Sequence, residues 1–235
     1  MLEGSNAVEP TTERGTSMLS KLLMGLLALG LLMMAVPADD KKAEAPKKDE
    51  TKKEEPKKNE LKKEDANPVV VMETNFGTIE IELNTEKAPK TVANFLAYTD
   101  DKFYDGLIFH RVMSTFMIQG GGFEPGMKKK DTKETVKNEA DNGLSNTEGT
   151  IAMARTNEAD SATSQFFISV KDNSKILDKA FVKDGVGYCV FGKVTKGMDV
   201  VEKIKAVKCE ANPYNRSEIS SPIEDVVIKS VKRKK

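Results

Sequence analysis

Short apolar runs, each bounded by turn-forming residues, dominate the chain from residue 68 onward. In the segment 79–83, apolar residues alternate with Glu80 and Glu82, which is the period-two pattern of a half-buried strand. Further strand-like runs occupy 149–154, 165–170, 187–194 and 225–231. Only the segment after Pro89 and the segment 197–207 show helical periodicity. This pattern predicts a mostly antiparallel barrel or sandwich with two helices over its open ends.

An uncharged apolar segment of 15 residues, 22–36, follows Lys21 near the N-terminus. It is shorter than the about 20 residues of a typical membrane span. Small residues precede a cleavage point after Ala38, so we interpret residues 1–38 as an N-terminal extension and signal peptide. The mature protein would be exported, either periplasmic or secreted. The alternative is a membrane tether formed by an uncleaved segment 22–36.

The segment 39–67 carries ten lysines and ten acidic residues, and Leu61 is its one apolar residue larger than alanine. Such a composition cannot bury enough apolar surface to offset the entropy of ordering the chain. We therefore predict a disordered linker at 39–67 and one folded domain at 68–235. A docking tail for a charged partner is the alternative for the linker.

The formal net charge of the chain is zero, which gives no electrostatic reason to expect nucleic acid as a partner. Cys189 and Cys209 are the only cysteines, which excludes a disulfide-dense scaffold. The two could pair in an oxidising compartment, but a buried free thiol is the simpler expectation for Cys189.

The sequence lacks the residue patterns of the common nucleophilic and metal-dependent mechanisms. His110 is the only histidine, and no nucleophile elbow, Cys-x-x-Cys pair or histidine cluster is present. The glycines at 120–122 lack the Lys-Ser/Thr ending of a phosphate-binding loop. The sequence therefore predicts no metal and no cofactor. A hydrolase that uses His110 stays a minor alternative, since His110 is better explained as a structural residue.

The run "FHRVMSTFMIQGGGF" at 109–123 places Arg111 on a strand-like, mostly apolar segment. A buried arginine is costly unless another group pairs with it. Arg111 shares a face with Phe109 and Met113, and Met117 shares a face with Gln119. From the pattern alone, this segment is either packed core with an ion-paired arginine or the lining of a pocket.

Three blocks resemble the cyclophilin family of peptidyl-prolyl cis-trans isomerases. They are the run at 109–123, "GTIAMARTNEADSATSQFFISV" at 149–170 and "YCVFGKVTKGMDVVEKI" at 188–204, in the family's order. The resemblance extends from about residue 69 to 232 and is closest to the bacterial branch. It implies a closed antiparallel eight-stranded β-barrel capped by two α-helices. It also implies rotation of X-Pro peptide bonds in unfolded or partly folded polypeptides, with no cofactor.

The same resemblance implies the site residues. Arg111 would hydrogen bond to the prolyl nitrogen of the twisted amide, with Phe116 and Gln119 as the other catalytic residues. The substrate-binding residues would be Met117, Ala154, Arg155, Gln165, Phe167, Ile176, Leu177 and Tyr188. A non-catalytic chaperone or adaptor that binds proline-containing peptides is the alternative to an enzyme.

Two positions, in or beside the segment 171–187, depart from the vertebrate members of the family. Ile176 stands where those members have a tryptophan, and Tyr188 stands where they have a histidine. Loss of the indole removes contact area and a hydrogen-bond donor. We therefore expect weak binding of cyclosporin. Separately, we expect the protein to be a monomer.

Overall fold

The computed structural model describes residues 67–235. The predicted signal segment at 1–38 and the predicted linker at 39–67, apart from Asn67, lie outside the described residues. Between residues 67 and 235, no helix is long and apolar enough to span a membrane. The export signal, the membrane anchor and the linker therefore stay predictions.

Residues 67–235 form twelve strands and three helices. The strands are β1 (Val69–Thr74), β2 (Gly77–Leu83), β3 (Arg111–Met113), β4 (Met117–Gly120), β5 (Phe123–Glu124), β6 (Lys128–Lys129), β7 (Thr150–Met153), β8 (Phe166–Ser169), β9 (Val190–Lys196), β10 (Cys209–Asn212), β11 (Asn215–Pro222) and β12 (Ile228–Arg233). The helices are α1 (Pro89–Asp100), α2 (Ser174–Leu177) and α3 (Met198–Lys205). This content confirms the mostly-β prediction, and α1 and α3 are the two predicted helices. The single turn α2 was not predicted.

Eight strands form one antiparallel sheet in the order β12-β1-β2-β9-β7-β8-β4-β3, and β5–β6 and β10–β11 are separate hairpins. The prediction of eight antiparallel strands is confirmed, but the prediction of a closed barrel is wrong. The edge strands β3 and β12 form no ladder with each other, so the sheet is an open, curled half-barrel. Its two edges meet through an isolated bridge between Ile108 and Val227, which lie just before the two edge strands.

Helix α1 begins at Pro89, whose fixed φ suits the first turn of a helix. The carboxylate of Glu139 accepts hydrogen bonds from the Lys90 and Thr91 backbone N–H groups at 3.2 and 2.9 Å. A carboxylate at this position satisfies unpaired N–H groups and complements the positive end of the helix dipole. The helix buries Phe95 against the rings of other core residues, Tyr104, Phe166 and Phe191.

The alternation of side chains along the strands separates two apolar clusters. Ile118 on β4 and Phe166 on β8 belong to the large core. Their chain neighbours Met117 and Phe167 belong to a second cluster with Ala152, Leu177 and Val190. Because successive strand residues point to opposite faces of a sheet, this second cluster lies on the other face of β4, β7 and β8. That face carries the candidate site.

Candidate active site

The register of β3, β4 and β8 brings the predicted polar residues into one row. Arg111 lies directly opposite Gln119 in the β3–β4 ladder, and Gln119 lies opposite Phe167 in the β4–β8 ladder. Arg111 Nη1 donates a hydrogen bond to Gln119 Oε1 at 3.3 Å, and Gln119 Nε2 donates to Gln165 Oε1 at 3.0 Å. Arg111, Gln119 and Gln165 are thus linked in that order by hydrogen bonds, beside the second apolar cluster.

A cavity of about 110 Å³ lies beside this row. Nine of the eleven predicted site residues line it: Arg111, Phe116, Met117, Gln119, Ala154, Arg155, Phe167, Leu177 and Tyr188. The residue pattern alone could not decide whether Arg111 belonged to packed core or to a pocket. The structure places Arg111 at a pocket. Apolar side chains and a few polar ones line it together, which is the usual composition of a small-ligand site.

The two remaining predicted residues lie outside this lining. Gln165 is linked to the lining by hydrogen bonds, from the Gln119 side chain and from the Ala154 backbone N–H. Ile176 is 55% exposed, whereas its neighbour Leu177 is 5% exposed and faces the cavity. Adjacent residues of a helix point about 100° apart, so α2 can direct only one of the two into the pocket.

Gly122 allows the Gln165 side chain to lie against the backbone behind Gln119, and Gly121 allows the same for the Phe166 ring. A Cβ atom on Gly122 would lie 2.5 Å from Gln165 Cγ, and one on Gly121 would lie 2.8 Å from the Phe166 ring. Gly121 also has a φ of +83°, which favours glycine. The glycine run therefore allows close packing of Gln165, one of the predicted site residues.

Arg155 fixes one rim of the pocket in a way that the sequence did not reveal. Its side chain is 3% exposed, and its Nε donates to the Gly187 carbonyl at 2.9 Å. Nη2 donates to Asp184 at 2.5 Å, and the guanidinium lies 4.6 Å from the centre of the Tyr188 ring. The resemblance implied only a substrate-binding role for Arg155. In the structure, Arg155 ties the segment 184–188 to the chain just after β7.

Glu218 is the principal site neighbour that sequence reasoning missed. Its carboxylate binds Arg111 in a two-point fork, with Nε–Oε1 at 2.6 Å and Nη2–Oε2 at 2.7 Å. These hydrogen bonds hold the pKa of Glu218 below its ordinary value. Glu218 follows Arg111 by 107 residues and lies on an outlying hairpin, so no local pattern links the two.

His110 is buried and does not line the cavity. Its ring packs against Phe123 with 4.5 Å between ring centres. Burial, with a smaller contribution from the Arg111 charge, lowers the pKa of His110 to about 4. The ring is therefore neutral near pH 7, as suits the predicted structural residue.

Within residues 67–235, no group of three or more His, Cys, Asp or Glu side chains is placed to hold a metal ion. Cys189 and Cys209 are both free thiols, and Cys189 is buried as expected. Burial raises the pKa of Cys189 to about 11, so its thiolate is scarce at neutral pH.

The chain is similar to proteins of a known family. The family model of "Cyclophilin type peptidyl-prolyl cis-trans isomerase/CLD" matches residues 69–233. The chain is 54% identical over 163 residues to peptidyl-prolyl cis-trans isomerase B of Escherichia coli (strain K12), and the match covers 69% of this chain and 98% of that protein. It is 53% identical over 163 residues to peptidyl-prolyl cis-trans isomerase cyp18 of Streptomyces antibioticus, with coverages of 69% and 96%.

Solved structures share the fold at low sequence identity. A cyclophilin type peptidyl-prolyl cis-trans isomerase of Cryptosporidium parvum is 24% identical, with a TM-score of 0.61 over 72% of this chain and 98% of that chain. A second structure of that protein, in the presence of the dipeptide Ala-Pro, gives a TM-score of 0.60 at 24% identity, over 71% of this chain and 99% of that chain.

Proposed function

The chain belongs to the cyclophilin-type peptidyl-prolyl cis-trans isomerase family, and we propose that Arg111 is the residue that catalyses its reaction. The protein is an enzyme that interconverts the cis and trans forms of X-Pro peptide bonds. One observation supports Arg111 most directly. It is a partly exposed guanidinium, held in place by Glu218 and Gln119, at the edge of an apolar cavity.

The chemistry of the reaction explains why a hydrogen-bond donor is needed there. Resonance between the carbonyl and the nitrogen keeps the amide planar, and rotation faces a barrier of about 20 kcal/mol. In the twisted transition state this resonance is lost, and the prolyl nitrogen gains a lone pair. A donor aimed at that nitrogen stabilises the twisted amide more than either planar form, which is the condition for catalysis.

The apolar floor supplies a place for the proline ring. Met117, Phe167 and Leu177 are each no more than 5% exposed, and Phe116 lines the cavity beside them. A ring bound there leaves water, and the Arg111 hydrogen bond strengthens in the lower dielectric. Gln119 and the backbone near Arg155 would bind the amides and carbonyls on either side of the proline. These steps use no covalent intermediate, metal or nucleotide.

The substrates that we propose are proline-containing polypeptides, unfolded or partly folded, outside the cytoplasm. The presence of Ala-Pro with the Cryptosporidium parvum relative agrees with the first part of this proposal. The apolar segment 22–36 and the charged segment 39–67 support the second part, since together they have the composition of an export signal and a solvated tether. We further propose that the domain works as a monomer and binds cyclosporin weakly.

The experiment that tests the catalytic proposal compares wild type with Arg111→Ala in the isomerisation of an Ala-Pro peptide. Removal of one preorganised donor should lower kcat/KM by roughly 10²–10³-fold. Arg216→Ala provides the matched control, because Arg216 is an exposed arginine on β11 that does not line the cavity. Equal rates for wild type and Arg111→Ala would refute the mechanism.

A further inference from the structure

The carboxylate of Glu218 is itself held by a chain of hydrogen bonds. Asn212 Nδ2 donates to Ser220 Oγ at 3.1 Å, and Ser220 Oγ donates to Glu218 Oε1 at 2.6 Å. Asn212 and Ser220 are 5% and 0% exposed, and both belong to the β10–β11 hairpin. A buried, satisfied polar network of this kind restricts the conformations of its members. Glu218 is therefore a fixed group rather than a mobile surface acid.

The contacts of Arg111 account for four of the five N–H bonds that a guanidinium carries. Nε and Nη2 each donate to Glu218 at 2.6 and 2.7 Å, and Nη2 also donates to Met113 Sδ at 3.2 Å. Nη1 donates to Gln119 Oε1 at 3.3 Å. Within the described part of the chain, the fifth N–H, on Nη1, has no protein acceptor. Arg111 lines the cavity, so this N–H is the one free for a substrate.

From this arrangement we propose that Glu218 is a positioning residue for the isomerase reaction: its fork with Arg111 fixes the guanidinium so that Nη1 is presented to the prolyl nitrogen. The inference rests on the proposed role of Arg111. An unpaired arginine side chain has many rotamers, and a pre-organised fork removes that freedom before the substrate binds. Because catalysis depends on the placement of the donor, loosening the fork should reduce turnover more than binding.

Glu218 is not the only charged or titratable group near Arg111. A second cavity, of about 310 Å³, also borders Arg111, and its lining includes His110, Tyr214 and Glu218. His110 is neutral near pH 7 because burial lowers its pKa to about 4. The rates should therefore be compared near neutral pH, where Glu218 is ionised and His110 is not.

The experiment is a double-mutant cycle on peptide isomerisation with Glu218→Ala, Arg111→Ala and the double variant. We expect Glu218→Ala to lower kcat by about tenfold and to change KM by no more than about twofold. Glu218→Gln keeps the shape of the side chain and one acceptor oxygen, so its kcat should lie between those of wild type and Glu218→Ala. Glu210→Gln, an exposed acid on the same hairpin, should behave as wild type.

The decisive comparison is Glu218→Ala in the Arg111→Ala background. If Glu218 acts through Arg111, the double variant should have the residual activity of Arg111→Ala alone. A wild-type or higher kcat in Glu218→Ala would overturn the inference, and so would an equal further loss in the double variant, which would indicate a general structural effect. Failure of the proposed catalytic role would be seen separately, as wild-type activity in Arg111→Ala. Thermal melts should show that Glu218→Gln is folded.

Discussion

Phe166 and Phe167 are neighbours in β8, yet they belong to opposite faces of the sheet. Phe166 is fully buried in the large core, with its ring centre 5.7 Å from that of Phe95 in an edge-on contact. Phe167 lines the cavity and lies 5.8 Å from the Tyr188 ring. One residue of the conspicuous Ser-Gln-Phe-Phe block thus stabilises the fold, while the next belongs to the site.

This division predicts different effects of truncating the two rings. Phe166→Ala should lower the free energy of unfolding by about 3–5 kcal/mol, because it leaves a cavity in a closely packed core. Phe167→Ala should cost less stability and should raise KM for a proline peptide, because it removes part of the pocket floor. Urea unfolding and steady-state kinetics measure the two effects. The interpretation is wrong if Phe167→Ala leaves kcat/KM unchanged.

Arg155 is predicted to matter through the rim that it holds. Arg155→Ala removes the hydrogen bond to Gly187, the ion pair with Asp184 and the contact with the Tyr188 ring. We expect kcat/KM to fall by about tenfold and amide hydrogen exchange in 184–188 to accelerate. Arg155→Lys should restore little of the lost activity, because the lysine ammonium cannot make the several directed hydrogen bonds of the guanidinium. Unchanged exchange in this segment would contradict the assignment.

His110 is predicted to make the domain less stable in acid. Its pKa in the fold is about 4, below the ordinary value of 6.5, so the unfolded chain takes up the proton first as pH falls. The stabilisation from keeping the ring neutral is complete above about pH 6.5 and is lost as pH falls toward 4. The difference between the two pKa values of His110 corresponds to about 3 kcal/mol of unfolding free energy.

Because His110 is the only histidine, its substitution isolates this effect. Unfolding free energies of wild type and His110→Gln should be measured between pH 7 and 4. The variant should show a smaller loss of stability over this range and should retain isomerase activity. Parallel pH curves would refute the assignment of the effect to His110, and a complete loss of activity would favour the alternative in which His110 is catalytic.

Weak cyclosporin binding is predicted from the residues at the rim. The chain has no tryptophan, and Ile176 is turned toward solvent rather than into the pocket. We expect inhibition of isomerisation with a Kd of about 1 μM or weaker. Nanomolar inhibition of the wild-type enzyme would contradict the prediction.

Much of the pocket could be predicted because its residues belong to local strand patterns and to motif blocks. Strand periodicity assigns Met117 and Gln119 to one face, and the Ser-Gln-Phe-Phe block resembles a known family. Periodicity alone could not decide whether that face was core or pocket. The decision depends on which side of the sheet α1 covers, and this is a long-range property.

The features that sequence reasoning missed also depend on long-range geometry. Glu218 reaches Arg111 only because the β10–β11 hairpin lies beside β3, and Ile176 turns outward only because α2 forms a helical turn at that place. The open form of the sheet also depends on contacts between distant parts of the chain. Its edges meet through a bridge at Ile108 and Val227, outside the regular strands, and strand counting cannot show this.

The central claim is that Arg111 accelerates rotation of a bound X-Pro bond. Exchange spectroscopy by NMR on an Ala-Pro peptide at saturating enzyme measures that rotation on the enzyme, separately from binding. We predict that Arg111→Ala binds the peptide within about threefold of wild type, while the exchange rate on the enzyme falls by roughly 10²–10³-fold. An exchange rate equal to that of wild type, with the variant folded and the peptide bound, would contradict the account.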